Sequence, residues 1–405
     1  MTTKSPKIQA SKLMKEIMGM HYLTVKNARF NGQPLAWITS GFPVEILYAM
    51  DVVAVYPENH AAMCGIQRMA PELQQVAEDL GYSRDLCSYA RTDIGQMVTG
   101  RSPIMGLPEP DFILSCNNIC STVVKWYEVV ARHYGVPHFV LDTPFIHGSM
   151  DEAAVRYVVE QLSELVTFLE ERTGRTFDQE RFTEVLTLAA RAVELWDGVL
   201  SACEAVPSPM SCFDAFIHMG PIVTLRGRQE CVDYYETLHE EITARVRDGI
   251  AAVEGERVRL MWDNLPIWFN MRTMSGWLAE RGVCLVAATY PSSWTAAIDP
   301  DASGDPMAEL ARVYLSPFIN SGLERRLTMF SEMIERFKAD GFILHSNRSC
   351  KPYSLGQYRF RDMVTQATGR QGIVIEGDMT DPRLYAEGPT ITRLEAYLES
   401  MEARA

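Results

Sequence analysis

The sequence predicts an α/β protein of two lobes, each built on a parallel sheet, with helical segments before and between them. Two observations carry this reading. Four short β-rich runs come early, at 35–39, 52–56, 112–115 and 138–141, and four more come late, at 258–262, 283–288, 342–345 and 373–375. Each is rich in branched or aromatic residues, and most are closely followed by Gly, Pro, Asn, Asp or Ser. Helical patterns separate many of them, for example 69–80, 121–133 and 323–339. Strands alternating with helices imply parallel sheets covered on both faces. The expected lobes are therefore flavodoxin- or Rossmann-like.

Between the two sets of strands the period changes. Val155, Val158, Val159, Leu162, Leu165 and Leu169 form a helix-facing stripe within 151–172. A similar pattern covers 182–199, a Pro-containing break follows at 205–209, and the pattern resumes over 232–253 before Gly255. The first thirty residues also read as helical. The expected organisation is thus N-terminal helices and a first α/β lobe over 1–150, a helical middle segment over 151–255, and a second α/β lobe over 256–405. The four-strand pattern at both ends suggests a pseudo-symmetric pair.

With 405 residues and 47% hydrophobic content, the chain can bury two or three cores. Its 38 basic and 52 acidic residues give a formal charge of −14. That balance, with no basic stripe interleaved with aromatics, argues against nucleic acid. A local Arg pocket could still bind an anionic coenzyme. Residues 1–22 lack the order of a signal peptide, and no run of about 18 apolar residues exists to span a membrane. The expected location is cytoplasmic.

Nine cysteines occur, an odd number scattered along the chain, which is not a disulfide framework. Cys203, Cys231 and Cys284 read as small buried hydrophobes, as do Cys64 and Cys212 on thinner grounds. Cys87, Cys116, Cys120 and Cys350 stand in unusual surroundings. They lie in Asp85-Leu86-Cys87-Ser88-Tyr89-Ala90-Arg91, Ser115-Cys116-Asn117-Asn118-Ile119-Cys120 and Ser346-Asn347-Arg348-Ser349-Cys350-Lys351-Pro352. None forms the dense local spacing of zinc ribbons or ferredoxins. Taken alone they leave metal ligands and buried thiols both open, with buried thiols the commoner outcome. The Asn pair suggests that 115–118 is loop.

Position adds to this. Ligands of open parallel sheets bind beyond the carboxyl ends of the strands. Ser40 follows the first run, Glu58 the second, Cys116 and Cys120 the third, and Cys350 the run ending at His345. Two lobes facing each other across their strand ends would gather these groups around one cleft.

Those segments, in that order and at those distances, resemble the (R)-2-hydroxyacyl-CoA dehydratase and benzoyl-CoA reductase family. The likeness extends over almost the whole chain. It includes residues 37–43, Tyr56-Pro57-Glu58-Asn59, the Cys87 segment through Gly95, 116–128 with Lys125-Trp126-Tyr127-Glu128, 347–351 and 378–383. It is strongest toward the larger, substrate-binding subunit of the dehydratases. The resemblance implies a [4Fe–4S] cluster held by Cys87, Cys120 and Cys350, with the fourth iron open to water or substrate. Thiolates suit such iron, and an open position is what a catalytic metal site needs. Cys116 is left to packing or to the surroundings of the cluster.

The resemblance further implies an acyl-CoA substrate, a homologous second cluster-binding subunit, and a separate ATP-hydrolysing iron–sulfur activator that delivers one electron. The implied chemistry is reduction of the thioester carbonyl to a ketyl radical anion, its oxygen contacting the open iron, followed by loss of the 2-hydroxyl and of a β-proton. The electron is then recycled. No Gly-x-x-x-x-Gly-Lys loop occurs, in keeping with ATP being handled elsewhere. Ser40 and Glu58 match positions lining the family's substrate pocket. A hydroxyl can donate to a substrate oxygen, and a carboxyl can move a proton. Otherwise they are a strand-end serine and a loop carboxylate.

His60 and His345 stay unassigned, and Arg91 and Arg348 are either charge partners for cluster or CoA or structural. Trp262, Trp268 and Trp277 read as core. An aromatic acyl-CoA reductase is the alternative within the family, towards which the Arg-rich composition tilts. A non-catalytic electron relay is the alternative of another class, and Ser40 with Glu58 speaks against it.

Overall fold

The computed structural model describes residues 6–104, 106–299 and 304–403. All eight expected strands form: β1 (Leu35–Ile38), β2 (Val53–Val55), β3 (Phe112–Cys116), β4 (His138–Leu141), β5 (Val258–Asp263), β6 (Val283–Ala288), β7 (Gly341–Asn347) and β8 (Gln371–Gly377). They make two four-stranded parallel sheets with orders β2-β1-β3-β4 and β6-β5-β7-β8. The two orders are the same pattern, so the pseudo-symmetry expected from the sequence is present in the topology. Nearly every strand residue of β1, β2, β3, β5 and β6 is buried. Continuous burial is what helices on both faces require of a parallel strand. In each sheet the chain reverses direction of travel beside the first strand, which opens a crevice beyond the strand ends there.

The long helices of the middle segment follow the expected stripe. Glu152–Thr173 begins at Asp151, whose side chain accepts from the Ala154 N–H, and ends at Gly174 in the left-handed conformation. Its buried residues are Val155, Val158, Leu162, Leu165 and Leu169, five of the six that define the stripe. Gln179–Ser201 packs against Gln229–Arg247.

Several bounds differ from expectation. The pattern read to Val253 stops at Arg247, because Gly249 turns into left-handed backbone. The N-terminal helix is Ser11–Asn27 only, and the first five residues of the expected helical stretch lie outside the described residues. Ser115 and Cys116 are strand, not loop: β3 runs through both, paired with Val140 and Leu141 of β4. Only 117–119 turn before the next helix, Ser121–Tyr134.

The helix Ser88–Thr99, which the apolar period did not reveal, carries the Cys87 segment. It lies so close to the helix Ala70–Asp79 that a Cβ on Gly95 would stand 2.0 Å from the Leu73 carbonyl oxygen. Only glycine permits that approach.

Candidate functional site

The first groups of the site are set by strand ends. Ser40 follows β1 by two residues, and Gly41 lets the turn close onto the 117–119 turn. A Cβ there would meet Asn118 Oδ1 at 2.7 Å and Ile119 at 2.9 Å. Glu58 is not on a loop. It occupies the first turn of the helix Pro57–Ile66, just past β2, and is buried. The Ser40 backbone N–H donates to Glu58 Oε2 at 2.5 Å, and the Ser40 hydroxyl donates to Oε1 at 3.1 Å. Burial lifts the Glu58 carboxyl to about 7, against the pull of these two Ser40 donors and of the Tyr127 hydroxyl. A carboxyl so placed can hold or release a proton near neutral pH.

A second buried carboxyl stands behind it. Asp93, on the Ser88–Thr99 helix, accepts from Trp126 Nε1 at 2.8 Å through Oδ2, while Oδ1 has no protein partner. Burial raises it to about 7, and the Glu58 charge pushes in the same direction.

The three thiols of the expected ligand set share one local geometry. Cys87, Cys120 and Cys350 are each the N-cap residue of a helix: Ser88–Thr99, Ser121–Tyr134 and the one-turn Lys351–Ser354. Burial pushes Cys87 up to about 12 and raises Cys120 and Cys350 too. Backbone N–H groups of the following turns oppose this: Ala90 and Tyr89 at Cys87, Val123 and Thr122 at Cys120, Tyr353 at Cys350. Cys350 senses the charges of both other thiols. Helix N-termini favour thiolate over thiol once a cation is present.

The lobes are held together beside these cysteines. The Ser88 N–H donates to Ser349 Oγ at 3.1 Å, and Ser349 Oγ donates to Asp378 Oδ2 at 2.5 Å. Arg91 is fully buried and pairs with Glu78 at 2.5 Å and with Asp381 at 3.2 Å. Of the two roles open for Arg91, it therefore fills the structural one. Arg348 is exposed.

Ser40, Glu58, Cys87, Cys120 and Cys350 all line a single cavity between the lobes. Cys116 does not line it. It is a buried β3 residue whose Sγ lies 3.9 Å from Thr143 Oγ1. His60 lies off the cavity too, 2.9 Å from Ser102 Oγ, with burial lowering it to about 4. His345 is buried in β7 and donates from Nδ1 to the Leu265 carbonyl at 2.7 Å, which leaves Nε2 without a protein partner. Burial lowers it to about 4. Trp262 and Trp268 are core, whereas Trp277 is half-buried with the Arg281 guanidinium 4.0 Å from its ring.

Sequence reasoning missed much of the wall. Trp126 and Tyr89 stood in the quoted motifs without a role. Tyr290, Trp294, Tyr314 and Tyr353 come from the second half of the chain, Val193 from the helix Gln179–Ser201 and Arg226 from the turn at 225–228. No local signal marked Asp93: nine of the twelve residues of its helix are buried although many are polar, and that burial is set by the neighbouring elements.

The sequence matches the family described as 2-hydroxyglutaryl-CoA dehydratase, D-component, over residues 39–401. The chain belongs to this dehydratase family. It is 34% identical to the (R)-2-hydroxyisocaproyl-CoA dehydratase alpha subunit of Clostridioides difficile, over 99% of this chain and 98% of that one. It is 31% identical to the (R)-phenyllactyl-CoA dehydratase alpha subunit of Clostridium sporogenes, over 98% and 96%. It is also 28% identical to a benzoyl-CoA reductase subunit of Thauera aromatica, over 96% and 94%. Among the described residues of this dehydratase-family chain, no helix is long and apolar enough to cross a membrane.

A cofactor can be tested against the donors present. Among the described residues, no three His, Cys, Asp or Glu side chains form a site for a single ion. A tetrahedral ion would draw its thiolates to within about 4 Å of one another. A cubane cluster, being polyatomic, holds its ligands farther apart and takes thiolates. Buried polar atoms without a protein partner stand one residue after Cys87, at Ser88 Oγ, and three before Cys350, at both amide atoms of Asn347. The donors among them, Ser88 Oγ and Asn347 Nδ2, suit a group that accepts hydrogen bonds through sulfur. The three thiols and these neighbours fit an iron–sulfur cluster better than a lone metal.

Proposed function

We propose that the chain is the substrate-binding subunit of an (R)-2-hydroxyacyl-CoA dehydratase that takes a [4Fe–4S] cluster on Cys87, Cys120 and Cys350. The observation that carries the reading is the sharing of one cavity by those thiols and the Ser40–Glu58 pair. When bound, the cluster would supply single-electron chemistry and a Lewis-acidic iron toward the thioester. A homologous partner subunit and an ATP-hydrolysing activator belong to the same proposal; the relatives named as alpha subunits support the first. In this reading 1–150 and 256–405 close on the cluster and 151–255 walls the acyl group.

The chain's own residues then have defined work. Ser40 Oγ, now donating to Glu58, can turn its hydroxyl toward the thioester or 2-hydroxyl oxygen. Glu58, poised near pH 7 by burial, can protonate the departing hydroxyl and take the β-proton. The aromatic wall excludes water from the reacting carbons.

The test is turnover under anaerobic conditions, with partner, activator, ATP and reductant supplied. Dehydration is redox-neutral, so enoyl-CoA should form in large excess over electrons delivered. Ring reduction of benzoyl-CoA would consume two electrons per turnover and would identify the reductase alternative. A complex that binds iron and yet converts no acyl-CoA would leave the relay reading in place of this one.

A further inference from the structure

The cavity has one basic side chain among its described lining residues, Arg226, and it is already engaged. Arg226 Nε donates to Glu45 Oε1 at 2.6 Å, Nη1 to the Ile222 carbonyl at 3.3 Å, and Nη2 to the Tyr314 hydroxyl. Tyr314 in turn donates to Glu45 Oε2 at 2.7 Å. Glu45 is fully buried on the short helix Val44–Ala49. Around this closed triad the wall is apolar: Val193, Trp294, Val313 and Ile319. Apart from the Glu58 carboxyl, no other carboxylate or cationic side chain lines the cavity among the described residues.

We propose that Glu45 is a specificity-determining residue: by neutralising Arg226 it suits the cavity to 2-hydroxyacyl groups with apolar aliphatic or aromatic side chains and excludes those ending in a carboxylate. The inference rests on the dehydratase reading above. An incoming carboxylate would have to compete with Glu45 for one guanidinium, leaving a buried negative charge without a partner. An apolar side chain meets no such conflict and buries surface against the wall. Glu45→Gln keeps an acceptor for Tyr314 and frees the Arg226 charge, which weakens the discrimination.

The experiment compares (R)-2-hydroxyisocaproyl-CoA, (R)-phenyllactyl-CoA and (R)-2-hydroxyglutaryl-CoA on the full chain with its partner subunit. Equilibrium binding without reductant is measured by calorimetry, and kcat/KM with activator and ATP. The native complex should favour both apolar substrates over the dicarboxylic one by about a hundredfold or more. Glu45→Gln should narrow that ratio at least about tenfold. If the variant does not fold, the native ratio alone decides. Native preference for, or indifference to, the hydroxyglutaryl thioester overturns the inference and leaves the dehydratase reading standing, as does a folded Glu45→Gln with an unchanged ratio. If none of the three thioesters binds, the dehydratase reading falls and takes this one with it.

Discussion

Glu58 and Asp93 are both carboxyls that hold their protons more tightly in the folded chain than in an unfolded one, because burial penalises the charged form. Folding stability from this pair is therefore fully present below about pH 4 and is lost as pH rises through about 7. Asp93→Asn removes one of the two penalties while keeping an oxygen for Trp126. It should be more stable than the native chain at pH 8, on the order of 2 kcal/mol, with the gain fading towards pH 4. Thermal unfolding at about pH 8 and about pH 4 checks this, and a gain independent of pH would count against it. Glu58→Gln should keep iron and acyl-CoA affinity but lose roughly a hundredfold in kcat. Ser40→Ala should lose less, since one neutral hydrogen bond is worth about 1 kcal/mol. The native pH–rate profile should bend near 7, and the bend should be absent from the Gln variant. Cys87→Ala, Cys120→Ala and Cys350→Ala should each lose most of about four iron per chain. Cys116→Ala, Cys203→Ala and Cys284→Ala should keep it, as anaerobic iron and sulfide analysis would show.

Among the elements, the Ser88–Thr99 helix has the most connections to the site. It starts at one proposed ligand, carries Asp93, presses on Ala70–Asp79 through Gly95, and reaches the other lobe through Arg91. Arg91 donates to Glu78, Asp381 and the Leu86 carbonyl. Its loss leaves Asp381 and Glu78 to Arg383 alone. Arg91→Ala should cost about 3 kcal/mol, measured by denaturant unfolding, and the variant should lose iron faster than the native chain on chelation. Retention of native iron kinetics in a destabilised Arg91→Ala would separate the clamp from the site. This helix was not legible as a helix, because its burial comes from neighbours on every side and not from an apolar stripe.

At the scale of the whole molecule, two sheets of the same strand order face each other and put their switch points around one cavity. Two proposed ligands come from the first lobe and one from the second. Cluster loading should then stabilise both lobes together, since whatever binds only the folded chain stabilises it. Removing iron anaerobically should speed amide exchange in 88–99 and 351–368 in parallel. Faster exchange in only one of these segments would mean that the cluster does not bridge the lobes.

The sequence by itself determined the α/β class, all eight strands, the long middle helices and the family, because period, composition and ordered motifs are local or collinear properties of the chain. It also placed Ser40, Glu58, Cys120 and Cys350 past strand ends. Tertiary structure decided the rest. It put Cys116 into the β3 strand and Cys120 at a helix start, four residues apart yet facing different surroundings. It turned Arg91 from a possible charge partner into a clamp, and brought Glu45, Arg226 and Tyr314 together across separations of 181 and 88 residues. Burial and pairing between distant segments depend on which surfaces meet when the chain closes, and no local pattern in the sequence encodes that.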